Sequence, residues 1–347
     1  MAAPAKTPVT VFMGAGSGNV SGLDELVFIH TVMRGARSVS IPFCQTVYFG
    51  HVLGRDGKEF AALAVTTGVG YVSTTSCTVQ LMRHSPYAPT SIVFIGTSGF
   101  SPYKGGFDPL DKESGCRSVG ASITKNAIGS VCVTSGAFLM ESGSCIERLE
   151  DNQCSRPNCS VFSKAIALNY IIADASLAEA IRAANTGVEF PPMPKDVTKG
   201  MQNWWAANEA AEETNAPNEP HLVHCAEATV NAINVGAERD YLCREYTSQF
   251  MKLPMSEAVC VQSMEAMGFL TAMLNFPHVS VAIVRTASNY DMYPLKRVVD
   301  GRWEQKVNYV PEDEYAAFVN ASFHYSVKTA TFVVANYFLS ETVGLHL

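Results

Sequence analysis

The sequence predicts one α/β domain, because apolar segments of strand length alternate with longer helical segments. Residues 59–67 and 91–99 are apolar runs of strand length, and each leads into a turn of small residues. Residues 264–274 suit a buried helix, and the β-branched run 279–284 suits a buried strand. A length of 347 residues is compatible with a single domain that carries insertions.

The composition excludes several classes of protein. The chain is 47% hydrophobic and 16% charged, so it can bury a sizeable core, and disorder is excluded. The net charge of −7 is spread without Lys/Arg clusters, so no nucleic-acid partner is predicted. No run of 18 apolar residues and no signal-like N-terminal segment is present, which predicts no membrane span and a cytoplasmic protein.

The ten cysteines are predicted to be reduced thiols, because the chain is long and shows no signal segment. Cys145, Cys154 and Cys159 lie close together in the sequence. Their spacing differs from that of a zinc site, so no metal is predicted.

Glu265 is the most unusual residue of the chain, because it is the only formally charged residue between Ala258 and Val284. Burying an unpaired carboxylate costs several kcal/mol, on the order of 2–7 even for a neutral polar group. Hydrogen bonds from the protein or from a ligand must therefore reach it. The polar residues 285–291 follow the next strand, where ligands bind in open α/β sheets, so both features are expected to face one pocket.

Two turns after predicted strands could hold a ligand. Gly68, Gly70 and Ser73 follow the strand at 59–67, where free amides and a helix dipole favour an anion or an oxygen ligand. A plain strand-to-helix turn capped by Ser73 is the alternative. The Gly-rich residues 14–18 lack the full dinucleotide fingerprint, so no cofactor is predicted.

The segments SMEAMG at 263–268 and VRTASNYD at 284–291 resemble the nucleoside phosphorylase/nucleosidase superfamily. The segment RTASNYDMYP at 285–294 is similar to the fungal purine nucleoside permease branch, and residues 239–268 are similar to plant bark storage proteins. Residues 67–73 and 96–99 resemble two further superfamily motifs. The resemblance implies a purine nucleoside phosphorylase-like three-layer sandwich with a mixed central β-sheet, a homo-oligomer, and cleavage of the N-glycosidic bond of a purine nucleoside.

The resemblance also implies roles for individual residues. Glu265 would bind the ribose hydroxyls and Met264 the sugar face, while Asn289 or Asp291 would serve the leaving base as the catalytic donor. Arg285 would order the loop or simply pair with Glu265. The remaining substrate-binding candidates are Gly68, Gly70, Ser73, Gly96, Thr97, Ser98 and Ser288.

Four departures from the superfamily pattern weaken this assignment. Phe94 stands where a phosphate-binding Arg is expected, and Ala232 where an aromatic residue stacks on the base. Asn289 cannot transfer a proton, and no water-activating Glu is evident, with Glu25 and Asp24 candidates only by proximity. The alternatives are a scaffold reused for a more apolar small molecule, or a non-catalytic binding or storage protein.

The remaining segments are predicted from periodicity and breakers. A helical insertion at about 161–220 is expected to act as a lid or an oligomer contact. Its adjacent Trp204 and Trp205 would form either core packing or, less expectedly, a ligand platform. The other predicted elements are a helix at 161–185, a helix at 196–213, a strand within 221–234 and a helix at 312–341.

Overall fold

The computed structural model describes residues 6–16, 24–103, 124–140, 170–231, 235–299 and 303–340, and the backbone of 143–146 and 158–161. The helices are α1 (Val27–Val32), α2 (Tyr71–His84), α3 (Ser176–Ala184), α4 (Lys195–Ala207), α5 (Ala237–Met251), α6 (Ala266–Met273) and α7 (Glu312–Phe338). The strands are β1 (Thr7–Gly14), β2 (Arg34–Ser38), β3 (Thr46–Leu53), β4 (Glu59–Thr66), β5 (Tyr87–Phe100), β6 (Val131–Thr134), β7 (Gly136–Leu139), β8 (Gly143–Ile146), β9 (Asn158–Val161), β10 (Tyr170–Ile172), β11 (Leu222–Val223), β12 (Glu227–Thr229), β13 (Val261–Ser263), β14 (Ser280–Tyr290), β15 (Leu295–Arg297) and β16 (Trp303–Gln305).

A mixed sheet of 12 strands organises the described residues, as the sequence predicted. Its path runs β10-β7-β12-β13-β5-β1-β4-β3-β2, and β14 lies beside β5 and β6. The strands β4, β1, β5 and β14 are parallel neighbours, so their carboxyl ends meet at one edge. β6 runs antiparallel to β14, and β3 runs antiparallel to β4.

Helices cover both faces of the sheet, which makes the three layers. Side chains alternate along each strand, so Ile92 and Phe94 of β5 lie in one apolar cluster while Val93 and Ile95 lie in the other. The first cluster includes residues of α2 and α6. The second includes residues of α1, α3 and α7. The predicted three-layer α/β architecture is therefore confirmed.

Several predicted elements are confirmed with small changes of boundary. The strand at 59–67 is β4, the strand at 91–99 lies inside β5, and the buried helix at 264–274 is α6. The C-terminal helix is α7, which the structure describes to Phe338. Trp204 and Trp205 are 1% and 0% exposed and pack with Tyr103 and Tyr290, so they belong to the core.

Other predictions were wrong in extent. In the described part of the helix predicted at 161–185, only α3 is helical, because Tyr170–Ile172 pairs antiparallel with β7; residues 162–169 lie outside the described residues. The helix predicted at 196–213 ends at Ala207, and the strand predicted within 221–234 is split into β11 and β12. The strand predicted at 279–284 continues through the polar residues as β14, because each of Arg285 and Thr286 pairs with both β5 and β6.

The prediction of reduced thiols was also wrong for the described residues, since every cysteine whose side chain is described lies in a disulfide. Cys44 is bonded to Cys77, Cys132 to Cys225, and Cys243 to Cys260. These partners are 33, 93 and 17 residues apart, and sequence spacing carries no signal for such pairs. The cluster of Cys145, Cys154 and Cys159 has no described side chains.

Reduction of the disulfides should destabilise the protein. The bond that closes the 93-residue separation, Cys132–Cys225, constrains the unfolded chain most and should contribute about 4–5 kcal/mol. Urea unfolding of the oxidised protein, compared with protein reduced under denaturant and refolded, should show a lower midpoint for the reduced form. Peptide mapping without reductant is the control, and alkylation of Cys132 there would contradict the pairing.

Within the described residues, no helix combines the length and the hydropathy needed to cross a bilayer.

Candidate active site

A cleft with two connected lobes opens at the carboxyl ends of β1, β5 and β14. Each lobe has a volume of about 320 Å³. The inner lobe includes Glu25, Thr97, Ser98 and Glu265, and the outer lobe is rich in tyrosines. Both lobes are lined by Gly99, Gln262, Ser263, Met264, Ser288, Asn289 and Phe323.

Glu25 is held at the floor of the inner lobe by backbone amides. Its Oε2 accepts hydrogen bonds from the Ala15 and Gly16 amides at 2.8 and 3.0 Å. Its Oε1 accepts from the Thr97 amide at 2.9 Å. Two strand ends, those of β1 and β5, thus fix this carboxylate, which is 8% exposed. Asp24 instead contacts His30 at 3.2 Å and lines neither lobe, so only Glu25 of the two candidates faces the cleft.

Glu265 lies at the start of α6 and is 5% exposed. Its Oε1 accepts from the Gly70 amide at 3.1 Å, and its Oε2 accepts from the Met264 amide at 3.2 Å and from Arg285 at 3.1 Å. Burial raises the pKa of the Glu265 carboxyl, Arg285 opposes that rise, and the charges of Glu25 and Glu227 add to it. The hydrogen-bond donors that were predicted for this buried acid are therefore provided by the protein.

Arg285 joins Glu265 to a second buried acid, Glu227 on β12. The guanidinium donates to Glu227 Oε2 at 2.7 Å, and both side chains are fully buried. Glu227 also accepts from the Ser263 hydroxyl and from the Ala266 amide at 3.2 Å. Arg285 is 0% exposed and is no part of the lining of either lobe, so its described contacts reach the inner lobe through the Glu265 carboxylate.

Gly96 and Phe94 of β5 shape the position of Arg285. A Cβ atom on Gly96 would lie 1.9 Å from an Arg285 nitrogen, so any side chain there would displace the guanidinium. The Arg285 guanidinium carbon also lies 4.6 Å from the centre of the Phe94 ring, which is a cation–π contact. Gly96 therefore leaves room for the Arg285 guanidinium, and it does not line the cleft.

The glycine turn before α2 is placed differently from the anion site expected there. Gly68 and Gly70 have φ of +88° and +95°, so they make the turn, but only Val69 between them lines the cleft. The Gly70 amide already donates to Glu265. Ser73 lies inside α2 without capping it and lines neither lobe, so the predicted capping role is wrong.

The end of β14 brings the predicted base-facing residues to the cleft. Ser288 and Asn289 line both lobes, and the Ser288 hydroxyl lies 2.9 Å from Asn289 Oδ1. Asp291 follows one residue after the strand, is 1% exposed and lines the outer lobe. Its carboxylate accepts from Gln262 Nε2 at 3.1 Å.

The outer lobe is aromatic. Burial raises the pKa of the Tyr309 phenol, and the neighbouring Tyr315 and Tyr293 raise it further. These three tyrosines and Phe318 line the same lobe as Asn289. Stacking surfaces for a planar ligand group are therefore present in this lobe. Position 232, where the stacking aromatic residue was expected, lies outside the described residues.

Sequence analysis missed Glu227 and could not select Glu25. The only signal for Glu227 is a carboxylate within the apolar run Ala226 to Ala228, the same signal that marked Glu265. Glu25 follows a Gly-rich loop whose length matches no motif, so only the hydrogen bonds of its carboxylate distinguish it from Asp24.

Comparison with known proteins rests on the fold. No protein-family model matches the chain, and no curated protein does. Among solved structures, the MTA/SAH nucleosidase of Streptococcus pneumoniae in complex with 8-aminoadenine is similar with a TM-score of 0.51, at 11% identity over 95% of this chain and 98% of that chain. The S-adenosylhomocysteine nucleosidase of Streptococcus pyogenes in complex with 5-methylthiotubericidin has a TM-score of 0.50, at 12% identity over 97% and 98% of the two chains. Futalosine hydrolase of Helicobacter pylori also has a TM-score of 0.50, at 12% identity over 95% and 97%. The chain therefore shares the fold of these two nucleosidases and of futalosine hydrolase.

Proposed function

We propose that this protein hydrolyses the N-glycosidic bond of a purine nucleoside. The observation that carries the proposal is the pair of buried carboxylates, Glu25 and Glu265, on the wall of one small lobe. The fold shared with nucleosidases supports the same reaction class.

The charge of the inner lobe suits the transition state of this reaction. Breaking a bond between a sugar and its leaving group develops positive charge on the sugar. Three carboxylates, Glu25, Glu227 and Glu265, surround the single guanidinium of Arg285, so the lobe carries net negative charge when all are ionised. Fixed negative charge at the developing cation lowers the barrier without reorganisation.

The same charge favours water over phosphate as the nucleophile. Among the described residues that line the inner lobe, none is Lys, Arg or His. Phosphate is a dianion that is held by Arg or Lys in a fork of hydrogen bonds, and Phe94 stands where such an Arg would be expected. A neutral water molecule meets no such repulsion.

The residues that line the two lobes have different roles in the proposed reaction. Glu25 orients the water and takes its proton, because its carboxylate faces the inner lobe and is fixed by three amides. Glu265 accepts from the ribose hydroxyls, and Met264 packs on the sugar. Asn289 donates a hydrogen bond to the base, and Asp291 is the nearest acid on the same strand end.

The experiment is incubation with a panel of purine nucleosides, with and without phosphate, followed by chromatography of the free base. We expect base release in water that phosphate does not accelerate, loss of release in Glu265→Ala, and full release in the exposed control Glu179→Ala. Release that depends on phosphate would instead show a phosphorylase.

The aromatic outer lobe supports a second candidate, a scaffold reused for a larger and more apolar molecule. Tyr293, Tyr309, Tyr315 and Phe318 offer stacking surface to a ligand group in a lobe as large as the inner one. A thermal-shift screen separates the two candidates. Stabilisation by ribose-bearing ligands favours the nucleosidase, stabilisation by apolar aromatic ligands alone favours reuse, and a storage protein should respond to neither.

Three further features of the protein belong to this proposal. The three disulfides among the described residues favour an oxidising compartment over the cytoplasmic location predicted from the sequence. A homo-oligomer and a lid or contact role for residues 161–220 remain predictions, and light scattering would test the oligomer. The similarities to fungal permeases and bark storage proteins remain predictions as well.

A further inference from the structure

A third cavity lies apart from the two lobes of the cleft and has a volume of about 550 Å³. It is lined by residues 185–193, which connect α3 to α4, and by residues 218–222, which run into β11. We name it the side groove. Among the described residues, none lines both the side groove and a lobe of the cleft. Its volume lies in the range of small-molecule sites, about 300–1,000 Å³.

The helix α7 links the side groove to the cleft without joining the two cavities. The Tyr325 hydroxyl donates to the Pro191 carbonyl at 2.7 Å, and the Phe332 and Phe190 rings lie 6.1 Å apart. Phe323 of the same helix lines both lobes of the cleft. Tyr325 and Phe323 are two positions apart, so they point to nearly opposite sides of a helix with 3.6 residues per turn. The groove is thus fixed to a helix that also lines the cleft, but on another side of that helix.

Part of the side groove is apolar. Val188, Phe190 and Leu222 are half-buried and pack against the second apolar cluster. Met193 is half-buried as well, and it packs in the cluster that includes Trp204. The faces of these side chains that line the groove offer contact to the apolar body of a ligand.

Much of the backbone of the side groove cannot donate a hydrogen bond to a ligand. Pro191, Pro192 and Pro220 have no N–H group. The amides of four further lining residues already donate within the protein, those of Asn185, Thr186, Val188 and His221. A ligand group that donates hydrogen bonds therefore fits this lining better than one that only accepts them.

The charges of the side groove favour a cation. Glu189 and Glu219 are exposed, one on each lining segment, and neither forms a hydrogen bond or an ion pair with another described residue. Among the described residues that line the groove, none is Lys or Arg, and only His221 can gain a positive charge. An anion would meet two carboxylates without a counterion, whereas a cation finds two free partners.

We propose that the side groove is a second ligand site, which takes a small organic ammonium ion with an apolar body. The ammonium group donates to the carboxylates of Glu189 and Glu219, and the body packs on Val188, Phe190 and Leu222. An exposed ion pair contributes little on its own, so binding needs both parts of the ligand. The nucleosidase reaction does not use this site, so the inference is independent of the proposed function.

Three indole compounds with the same ring and different charge test the ligand class. Tryptamine carries an ammonium ion, tryptophol carries a neutral hydroxyl, and indole-3-acetate carries a carboxylate. Isothermal titration calorimetry of the full chain should give an affinity for tryptamine that is about 3- to 20-fold higher than for tryptophol, with indole-3-acetate the weakest. The advantage of tryptamine should shrink with added sodium chloride, because salt screens exposed charges.

Paired substitutions locate the binding. The double substitution Glu189→Gln with Glu219→Gln should lower the affinity for tryptamine by about 3- to 20-fold and leave that for tryptophol within about twofold. Glu179→Gln with Glu257→Gln removes two exposed carboxylates that do not line the groove, so tryptamine binding should stay within about twofold. Both double variants change the net charge equally, and their comparison separates a local effect from a general attraction of the protein for cations.

The tyrosine-lined outer lobe can also take an aromatic cation, and Tyr315→Ala controls for it. Binding that Tyr315→Ala weakens and the groove variant does not would place tryptamine in the cleft and overturn the proposal. No binding of tryptamine, or equal binding of the three indole compounds, would overturn it as well. None of these results depends on base release from nucleosides, which tests the proposed function separately.

Discussion

Arg285→Met should lower the free energy of unfolding by about 3–5 kcal/mol. The change leaves Glu227 and Glu265 buried without their shared cation, while the apolar volume of the side chain is largely kept. Urea unfolding monitored by circular dichroism measures the effect. The deficit should be smaller at pH 5 than at pH 8, because loss of Arg285 raises the Glu265 pKa further and protonation then removes the unpaired charge.

Two comparisons make the result specific to the ion cluster. Arg83→Met removes an exposed arginine and should change stability by under about 0.5 kcal/mol. The double substitution Arg285→Met with Glu227→Gln should recover part of the loss, since one buried charge goes with the other. A double variant less stable by the sum of both single effects would show that Arg285 does not act as their common partner.

Glu25→Gln should lower kcat for base release by about 10²–10⁴, because an amide cannot take a proton from water. The glutamine carbonyl oxygen can still accept from backbone amides, so the fold should be retained with a loss of about 1–2 kcal/mol. The measurement is steady-state base release together with the melting temperature.

The adjacent acid provides a matched control for Glu25. Asp24→Asn alters a carboxylate that contacts His30 and the Leu26 amide and lines neither lobe, so kcat should stay within about threefold of the wild type. Equal losses of kcat in both variants would mean that local distortion, and not proton transfer, explains the effect of Glu25→Gln.

The most informative features of the sequence were its apolar segments, which indicate burial, and these located the core of the fold. Glu265 is the only charged residue in an apolar run, and burying a charge without hydrogen-bond partners is costly. The existence of such partners could therefore be predicted from the sequence alone. The strand of 91–99 and the helix of 264–274 were found because they are apolar segments whose lengths suit a strand and a buried helix. Their alternation also implied a sheet covered by helices.

What the sequence could not provide was the set of contacts between distant segments. The Arg285–Glu227 pair joins residues 58 positions apart, and nothing local marks either as the partner of the other. The three disulfides of the described residues have the same character. The Cys243–Cys260 bond, for example, depends on how α5 approaches the residue before β13. Residues 170–172 were missed as a strand because three residues are too few to show a period.

Gly96 carries a consequence for evolution. Its Cα faces the guanidinium of Arg285 from the neighbouring strand, and no side chain larger than hydrogen fits between them. Positions 96 and 285 must then change together: any relative of this protein that keeps an arginine at 285 should keep glycine at 96, and a relative with alanine or serine at 96 should have a shorter residue at 285. A lineage that acquired the first change alone would pass through an unstable intermediate, so the two positions should covary in an alignment of homologues.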